Sequence, residues 1–220
     1  MRLLLVILWL SGLPGVAIAG PWPRTKGETY VFVGHFAGDE AWTSLYAEYG
    51  GPLALTFGLE VGGHLFDRAG AKADGRLRSF VRLPIFKGRE GLTPWLFAME
   101  FGAGADIEES GDIAPRLDVG LSAGRPFSTR FGDGWISLDV KASIGVDAKT
   151  RFNLSGVVGV KPTARLSVEA GLFAEFDDNA SITFAPVVQY DLNRAGSMRL
   201  GLAIKNEGGS ALTLGWARTF

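Results

Sequence analysis

Charged residues with the spacing of a strand face are the feature of this chain that best suggests chemistry. Glu60, Arg76, Arg78, Arg82 and Glu100 fall in three consecutive segments that read as extended chain. Residues two positions apart on a strand point to the same side. If these segments are neighbouring strands, the arginines lie between two glutamates, where opposite charges on adjacent strands attract. Side chains of both signs can line an aqueous pore and set its selectivity.

The same spacing places further charges on the same side of later segments. These are Arg116, Asp139, Lys141, Glu169 and Arg199. We expect this set and the five residues above to line a lumen as constriction or selectivity residues. An alternative stays open at this stage, in which the same charges form salt bridges that fill the lumen and leave a non-conducting scaffold.

The elements that must carry these residues are predicted by an alternation of apolar with small or polar residues. Residues 53–61 show it, since Leu53, Leu55, Phe57, Leu59 and Val61 share one face. Period-2 patterning is typical of a strand with one apolar face, and strands of about ten residues suit a tilted crossing of a bilayer. Twelve such segments are predicted, at 28–36, 41–49, 53–64, 75–86, 94–105, 113–124, 134–146, 151–161, 164–176, 180–191, 196–205 and 210–220. The longer gaps, at 65–74, 87–93, 106–112 and 125–133, are predicted loops.

The two faces of these strands differ in a way that indicates lipid outside. One face carries bulky aliphatic residues, and the other carries mostly glycine, hydroxyl and charged residues. A water-soluble barrel fills its interior with apolar side chains, which is the reverse arrangement. We therefore predict an all-β, antiparallel, up-and-down transmembrane barrel of about twelve strands, as an even count is usual for single-chain barrels. A soluble exported barrel that binds an apolar ligand is the competing hypothesis.

The start of the chain and its composition restrict location and partners. The first twenty residues, 1–20, are typical of a cleaved signal peptide. They begin with Met1-Arg2, continue with an apolar run from Leu3 to Leu10, and reach Ala-Ile-Ala at 17–19. Residues 21–220 then form a single barrel domain. The chain has no cysteine, so no disulfide is expected. A net charge of −1 offers no basic field for nucleic acid, which we exclude as a partner.

The last segment carries a resemblance to a known class. Leu212, Leu214, Trp216 and Phe220 form an alternating strand that ends in phenylalanine. Together with the signal sequence and the alternating strands, this resembles the outer-membrane β-barrel proteins of Gram-negative bacteria. Arg218 departs from the pattern, because an aromatic or aliphatic residue is usual there. The resemblance implies that the last strand is read by the barrel-assembly machinery, that the partner is outer-membrane lipid, and that the location is the bacterial outer membrane.

Catalytic and metal-binding alternatives find little support in the sequence. Some outer-membrane barrels are lipid-modifying enzymes that use a serine and a histidine. Here the only histidines are His35 and His64, and neither stands in a His-x-Ser pair. A carboxylate cluster in the predicted 106–112 loop could hold calcium, but it lacks the spacing of a known loop motif. It consists of Asp106, Glu108, Glu109 and Asp112. We predict no enzyme, no metal and no cofactor, and a narrow porin-like channel for small polar solutes as the leading function.

Overall fold

The computed structural model describes residues 20–38, 41–64, 74–87, 95–108, 110–146, 150–177, 180–193 and 196–220. Within these ranges, twelve antiparallel strands close into one barrel in which each strand pairs with its sequence neighbours and β1 pairs with β12. The predicted fold class and strand number are confirmed. Residues 1–19, which carry the signal-peptide prediction, and most of the predicted 65–74 and 87–93 loops lie outside the described residues. No helix in the described ranges is long and apolar enough to cross a membrane.

The strands are between 8 and 17 residues long. Their bounds are β1 Thr29–Ala37, β2 Trp42–Gly50, β3 Thr56–Gly63, β4 Gly75–Lys87, β5 Leu96–Ile107, β6 Ile113–Thr129, β7 Gly132–Gly145, β8 Thr150–Lys161, β9 Leu166–Phe176, β10 Ala180–Asp191, β11 Ser197–Lys205 and β12 Ser210–Thr219. We call the barrel end where β1 begins and β12 ends the terminal mouth, and the other end the opposite mouth.

Alternation decides which side chains face the lumen, as the sequence indicated. On β7, Leu138 and Val140 are 45% and 51% exposed on the outer wall, whereas Ser137 on the inner wall is fully buried. Large aliphatic side chains form the outer surface of every strand in the same way. In water such a surface would be unfavourable, because each square ångström of apolar area costs about 25 cal/mol. It is the surface expected of a barrel that contacts lipid.

The start of β3 differs from the prediction. The strand begins at Thr56, and residues Pro52–Ala54 form a short 3-10 turn instead of strand. Leu53 and Ala54 have positive φ angles of 56° and 59°, which an extended chain does not allow. Leu53 is 90% exposed and belongs to the turn at the terminal mouth. The apolar residues before Phe57 continue the alternating pattern, but Pro52 fixes the local backbone for a turn.

The predicted loop at 125–133 is also wrong. β6 continues to Thr129 and β7 starts at Gly132, so only two residues connect the strands. Gly132 has a φ of +128°, a conformation that favours glycine at such a tight turn. The alternation weakens here because of Arg125 and Pro126, although Pro126 still pairs with Trp135 across the ladder. The predicted 106–112 loop is shorter as well, since β5 runs to Ile107.

Candidate functional site: the lumen and its ion-pair belt

A cavity of about 780 Å³ occupies the inside of the barrel. It extends from Gly20 and Tyr30 in the terminal half to Asp106 and Arg151 near the opposite mouth. A second cavity of about 460 Å³ lies at the opposite mouth and shares Asp106 and Arg151 with the first. The two cavities therefore adjoin near the opposite mouth.

One side of this space is lined by a network that we call the ion-pair belt. It consists of Arg24, Glu48, Arg78, Arg82, Glu100 and Asp118, and all six side chains are at least nine-tenths buried. The Nη1 atom of Arg82 lies 2.7 Å from Oε1 of Glu48, and its Nη2 lies 2.9 Å from Oε2 of Glu100. Buried charges of this kind are tolerated only when they are paired and hydrogen-bonded. Every belt residue has an ion-pair partner, although Nη2 of Arg24 is buried without a hydrogen bond.

Arg78 extends the belt towards β6. Its Nη2 lies 2.6 Å from Oε1 of Glu100, and its Nε donates to Asp118. Asp118 in turn accepts a hydrogen bond from the hydroxyl of Ser143 on β7. The belt therefore joins side chains of β2, β4, β5 and β6, which are neighbours or next neighbours in the barrel.

Strand register explains the pair between Arg82 and Glu100, and a glycine explains the longer contact between Arg78 and Asp118. Glu100 lies directly across from Arg82 in the β4–β5 ladder. Asp118 is two strands away from Arg78, and the intervening residue is Gly102, which pairs with it in the β5–β6 ladder. A Cβ atom on Gly102 would lie 3.1 Å from Nη2 of Arg78. Because Gly102 has no side chain, the Arg78 guanidinium can pass over it and reach Asp118.

Phe80 separates the two central arginines on the inner face of β4. The guanidinium carbons of Arg78 and Arg82 lie 4.9 and 5.2 Å from its ring centroid, in the geometry of cation–π contacts. The ring occupies the space beside Gly58 on β3, where a Cβ atom would lie 1.9 Å from it. Packing around Phe80 thus fixes both arginines against the wall.

A second cluster lies at the opposite mouth around Asp106. Its carboxylate accepts from Arg76 at 3.1 Å, from Arg116 at 2.6 Å and from Arg151 at 3.3 Å. This corrects the prediction that Asp106 belongs to an acidic loop. It is a residue of β5, and three arginines share its charge.

All ten side chains predicted to line the lumen lie on the inner face and border the main cavity. Glu60 is 3.9 Å from Arg78, and Nζ of Lys141 is 3.6 Å from Oε1 of Glu100. Their proposed part in selectivity stays a prediction. Outside the belt and the Asp106 cluster, Asp139 lies 3.5 Å from the Ser155 hydroxyl, and Arg199 binds Glu169 at 2.6 Å.

Sequence reasoning missed three residues that form part of the ion-pair belt or of the Asp106 cluster. Glu48 lies on β2 with the inward spacing of Ser44 and Tyr46, so the period-2 pattern could have found it. Arg151 has the same inward spacing on β8 as Asn153. Arg24 lies before β1, and no strand pattern includes it.

The two histidines lie near the opposite mouth on the β1–β3 part of the wall, His35 on β1 and His64 directly after β3. His64 contacts the carboxylate of Asp74, and its ring lies 5.1 Å from that of Trp42. His35 is on the outer wall, with Nδ1 2.9 Å from the hydroxyl of Thr43.

The predicted assembly residues lie at the closing seam. Leu212, Leu214 and Trp216 share the outward spacing of β12. Phe220 follows the strand and exchanges backbone hydrogen bonds with Thr29, at 2.8 and 3.2 Å. The guanidinium of Arg218 lies 4.5 Å from the centre of the Phe220 ring. Recognition by an assembly machinery stays a prediction.

Comparison with solved structures finds this barrel among porins and channels. The KdgM porin in complex with disordered oligogalacturonate superposes with a TM-score of 0.65 at 11% identity, over 87% of this chain and 99% of that one. The COG4313 outer membrane channel from Pseudomonas putida F1 gives a TM-score of 0.63 at 12% identity, over 94% and 100%. The outer membrane protein Omp33 of Acinetobacter baumannii gives 0.51 at 10% identity, over 89% and 99%.

No protein-family model and no curated protein sequence matches the chain. At these identities the likeness establishes the fold, and that fold is the outer-membrane barrel predicted from the sequence.

Proposed function

We propose that the chain is an outer-membrane channel through which small polar solutes diffuse without a cofactor. The observation that supports this most is the cavity of about 780 Å³, which persists although the lumen holds many charged side chains. An apolar outer wall around a polar, open interior is the arrangement of a water-filled barrel in a membrane. The solved barrels that it resembles are porins and channels, which favours transport over catalysis.

The arrangement of the ion pairs favours a pore over a salt-bridged plug. In a plug, charged side chains would meet across the lumen. Here the belt residues that lie on strands contact partners on neighbouring or next-neighbouring strands and so stay against one wall, and Arg24, which precedes β1, joins them at Glu48. In the facing strands, small residues line the cavity, including Ala185 on β10, Ala203 on β11 and Thr213 on β12, and the charged Arg199 of β11 is paired with Glu169 of the adjacent wall.

The pairing of the arginines indicates the class of solute. Arg78 and Arg82 bind carboxylates on β2, β5 and β6, so their charge is already compensated inside the protein. The KdgM porin was solved with oligogalacturonate, an acidic oligosaccharide. The compensated arginines here support a different preference, for uncharged polar solutes with weak selection between small ions.

Conductance in planar lipid bilayers tests the proposal. We expect open channels with weak ion preference, and a shift of the reversal potential towards anions in Glu60→Gln, because Glu60 is a partly exposed carboxylate of the lumen. The matched control is Arg218→Gln, which changes a charge on the outer face of β12 and should leave the reversal potential unchanged. Arg82→Glu is a poor test, since it would place a third carboxylate beside Glu48 and Glu100.

Two results would contradict the proposal. Silence of the folded protein at all voltages would favour the non-conducting scaffold. A protein that stays dissolved without detergent would exclude a membrane barrel altogether.

A further inference from the structure

The segment before β1 lies inside the barrel. Arg24 contacts Glu48 on β2, and its backbone N–H donates to the Thr56 hydroxyl on β3 at 3.0 Å. Both partners are on the inner face. Three residues earlier, Pro21 is the first residue after the predicted signal peptide, and it is fully buried. We call residues 21–24 the strap.

The far end of the strap packs against a different part of the wall. A Cβ atom on Gly124 of β6 would lie 2.6 Å from both Pro21 and Trp22. Gly124 and Ser137 are directly paired in the β6–β7 ladder. Pro21 and Arg24 are three residues apart and span at most about 11 Å. The path along the wall from β6 to β2 crosses four strand spacings of about 4.8 Å each. The strap therefore crosses the lumen from β6–β7 to β2–β3 and does not follow the wall.

Burial shows that the strap is a packed part of the structure. Pro21 is fully buried and Arg24 is 8% exposed. The guanidinium of Arg24 also lies 4.4 Å from the ring centroid of Tyr30. Arg24 is therefore fixed by an ion pair, a backbone hydrogen bond and a contact with an aromatic ring. Glu48, which binds Arg24, is bound on its other oxygen by Arg82 of the belt.

From this geometry we infer that the strap is the size-determining constriction of the channel, pinned to the belt by Arg24 and set in width by Pro21 and Trp22. The inference rests on the proposed channel function. The strands near the terminal mouth are joined by short turns, such as Arg130–Phe131, so the strap is the described element that narrows this half of the lumen. Solutes that pass must fit between it and the inner face of β10–β12.

Thiol labelling tests the position of the strap without relying on conduction. The chain has no cysteine, so Ser137→Cys introduces a single thiol beneath the strap. A small water-soluble thiol reagent is applied to the folded protein in detergent, in the full chain and in a chain lacking residues 21–26. We expect labelling to become at least about tenfold faster without the segment, because protection by a packed segment scales with the free energy of opening it.

The control thiol is Ser155→Cys, on the inner face of β8 and bordering the same cavity. Its labelling rate should be the same in both chains. Equal rates for the Ser137 thiol with and without the segment, or an equal rise at both positions, would overturn the placement of the strap.

Conductance then tests the role of the strap in size selection. The chain lacking residues 21–26 should show higher single-channel conductance and admit larger neutral sugars in liposome-swelling assays, with Trp22→Ala intermediate. Trp95→Ala, which removes a ring stacked on Phe97 of β5, is the matched control and should behave as the unaltered protein.

The outcomes separate the two proposals. Faster labelling of the Ser137 thiol with no current from either chain would leave the strap in place and contradict the channel. Current from both chains with the same conductance and the same size limit would leave the channel and overturn the strap as its constriction.

Discussion

Replacing Glu48 with alanine is expected to lower the free energy of unfolding by about 3–5 kcal/mol, the cost of breaking a buried ion pair by removing one partner. The Glu48 side chain has no exposed surface. Its carboxylate accepts from Arg24, from Arg82 at 2.7 Å and from the hydroxyl of Tyr46. A hydrogen bond to a charged group contributes about 1.5–3 kcal/mol, so the two guanidinium groups alone account for about 3–6 kcal/mol. Arg82 keeps Glu100 as a partner, which places the expected loss in the lower part of that range.

Glu60→Ala is the matched control for this change. It removes the same chemical group from the inner face of the adjacent strand, but Glu60 is 35% exposed and 3.9 Å from its arginine. Partly exposed pairs of this kind contribute less than about 1 kcal/mol. Urea unfolding of both variants in lipid, followed by tryptophan fluorescence, measures the difference. Equal losses in the two variants would refute the argument that burial and pairing, and not charge alone, determine the contribution.

A double variant identifies the source of the cost. In Glu48→Ala, the Arg24 guanidinium stays buried and keeps one carboxylate partner among the described residues, Glu28 at 3.4 Å. Removing Arg24 as well should recover part of the stability, so that the two changes together cost less than the sum of each alone. Residues in direct contact show coupling of about 0.5–3 kcal/mol. Strict additivity would mean that Arg24 does not depend on Glu48.

Three further predictions concern the wall. Leu154→Arg, on the outer face of β8, should cost about 2–4 kcal/mol if that face meets the bilayer interior, whereas Ser155→Arg on the inner face should cost clearly less in the same urea assay. Gly58→Ala should destabilise the barrel by about 1–3 kcal/mol, the usual cost of overpacking, because the new methyl group would meet the Phe80 ring at 1.9 Å; unchanged stability would contradict this packing. Deletion of Phe220 should reduce the fraction of folded, heat-modifiable protein in outer membranes, and an unchanged yield would contradict its role as an assembly signal.

The barrel could be predicted from the sequence because one physical rule governs every strand. A wall with lipid on one side and water on the other requires alternation of the kind seen on β7, where Leu138 and Val140 alternate with smaller or charged residues. The rule fails where backbone geometry has priority over side-chain pattern. Leu53 continues the alternation but lies in a turn, because the residues after Pro52 adopt positive φ angles. At the end of β6 the rule predicts a loop where the structure has strand, since Arg125 and Pro126 interrupt the pattern without ending the strand.

Within the site, ion pairs between residues on adjacent strands could be predicted from the sequence, whereas contacts that cross an intervening strand could not. Arg82 and Glu100 pair because they are opposite each other on adjacent strands. The contact between Arg78 and Asp118 crosses a strand, and it depends on Gly102 leaving room between them. Such contacts require knowledge of which small residue stands between two long side chains. That follows from the register of three strands together, and a linear pattern carries no information on it.

Arg24 lay outside every pattern because the strap has no strand partner and no periodicity, yet it shares Glu48 with Arg82 of the belt. Stability and constriction should therefore change together at this one carboxylate. Glu48→Ala is expected to destabilise the barrel and also to release the strap, which raises conductance. Gly171→Ala is the control, because its new methyl group would meet the Phe173 ring at 2.5 Å on β9, a strand that contacts neither Arg24 nor Glu48. A rise in conductance confined to the Glu48 variant would show that the belt controls the strap specifically, whereas the same rise in both would trace it to general loosening of the barrel.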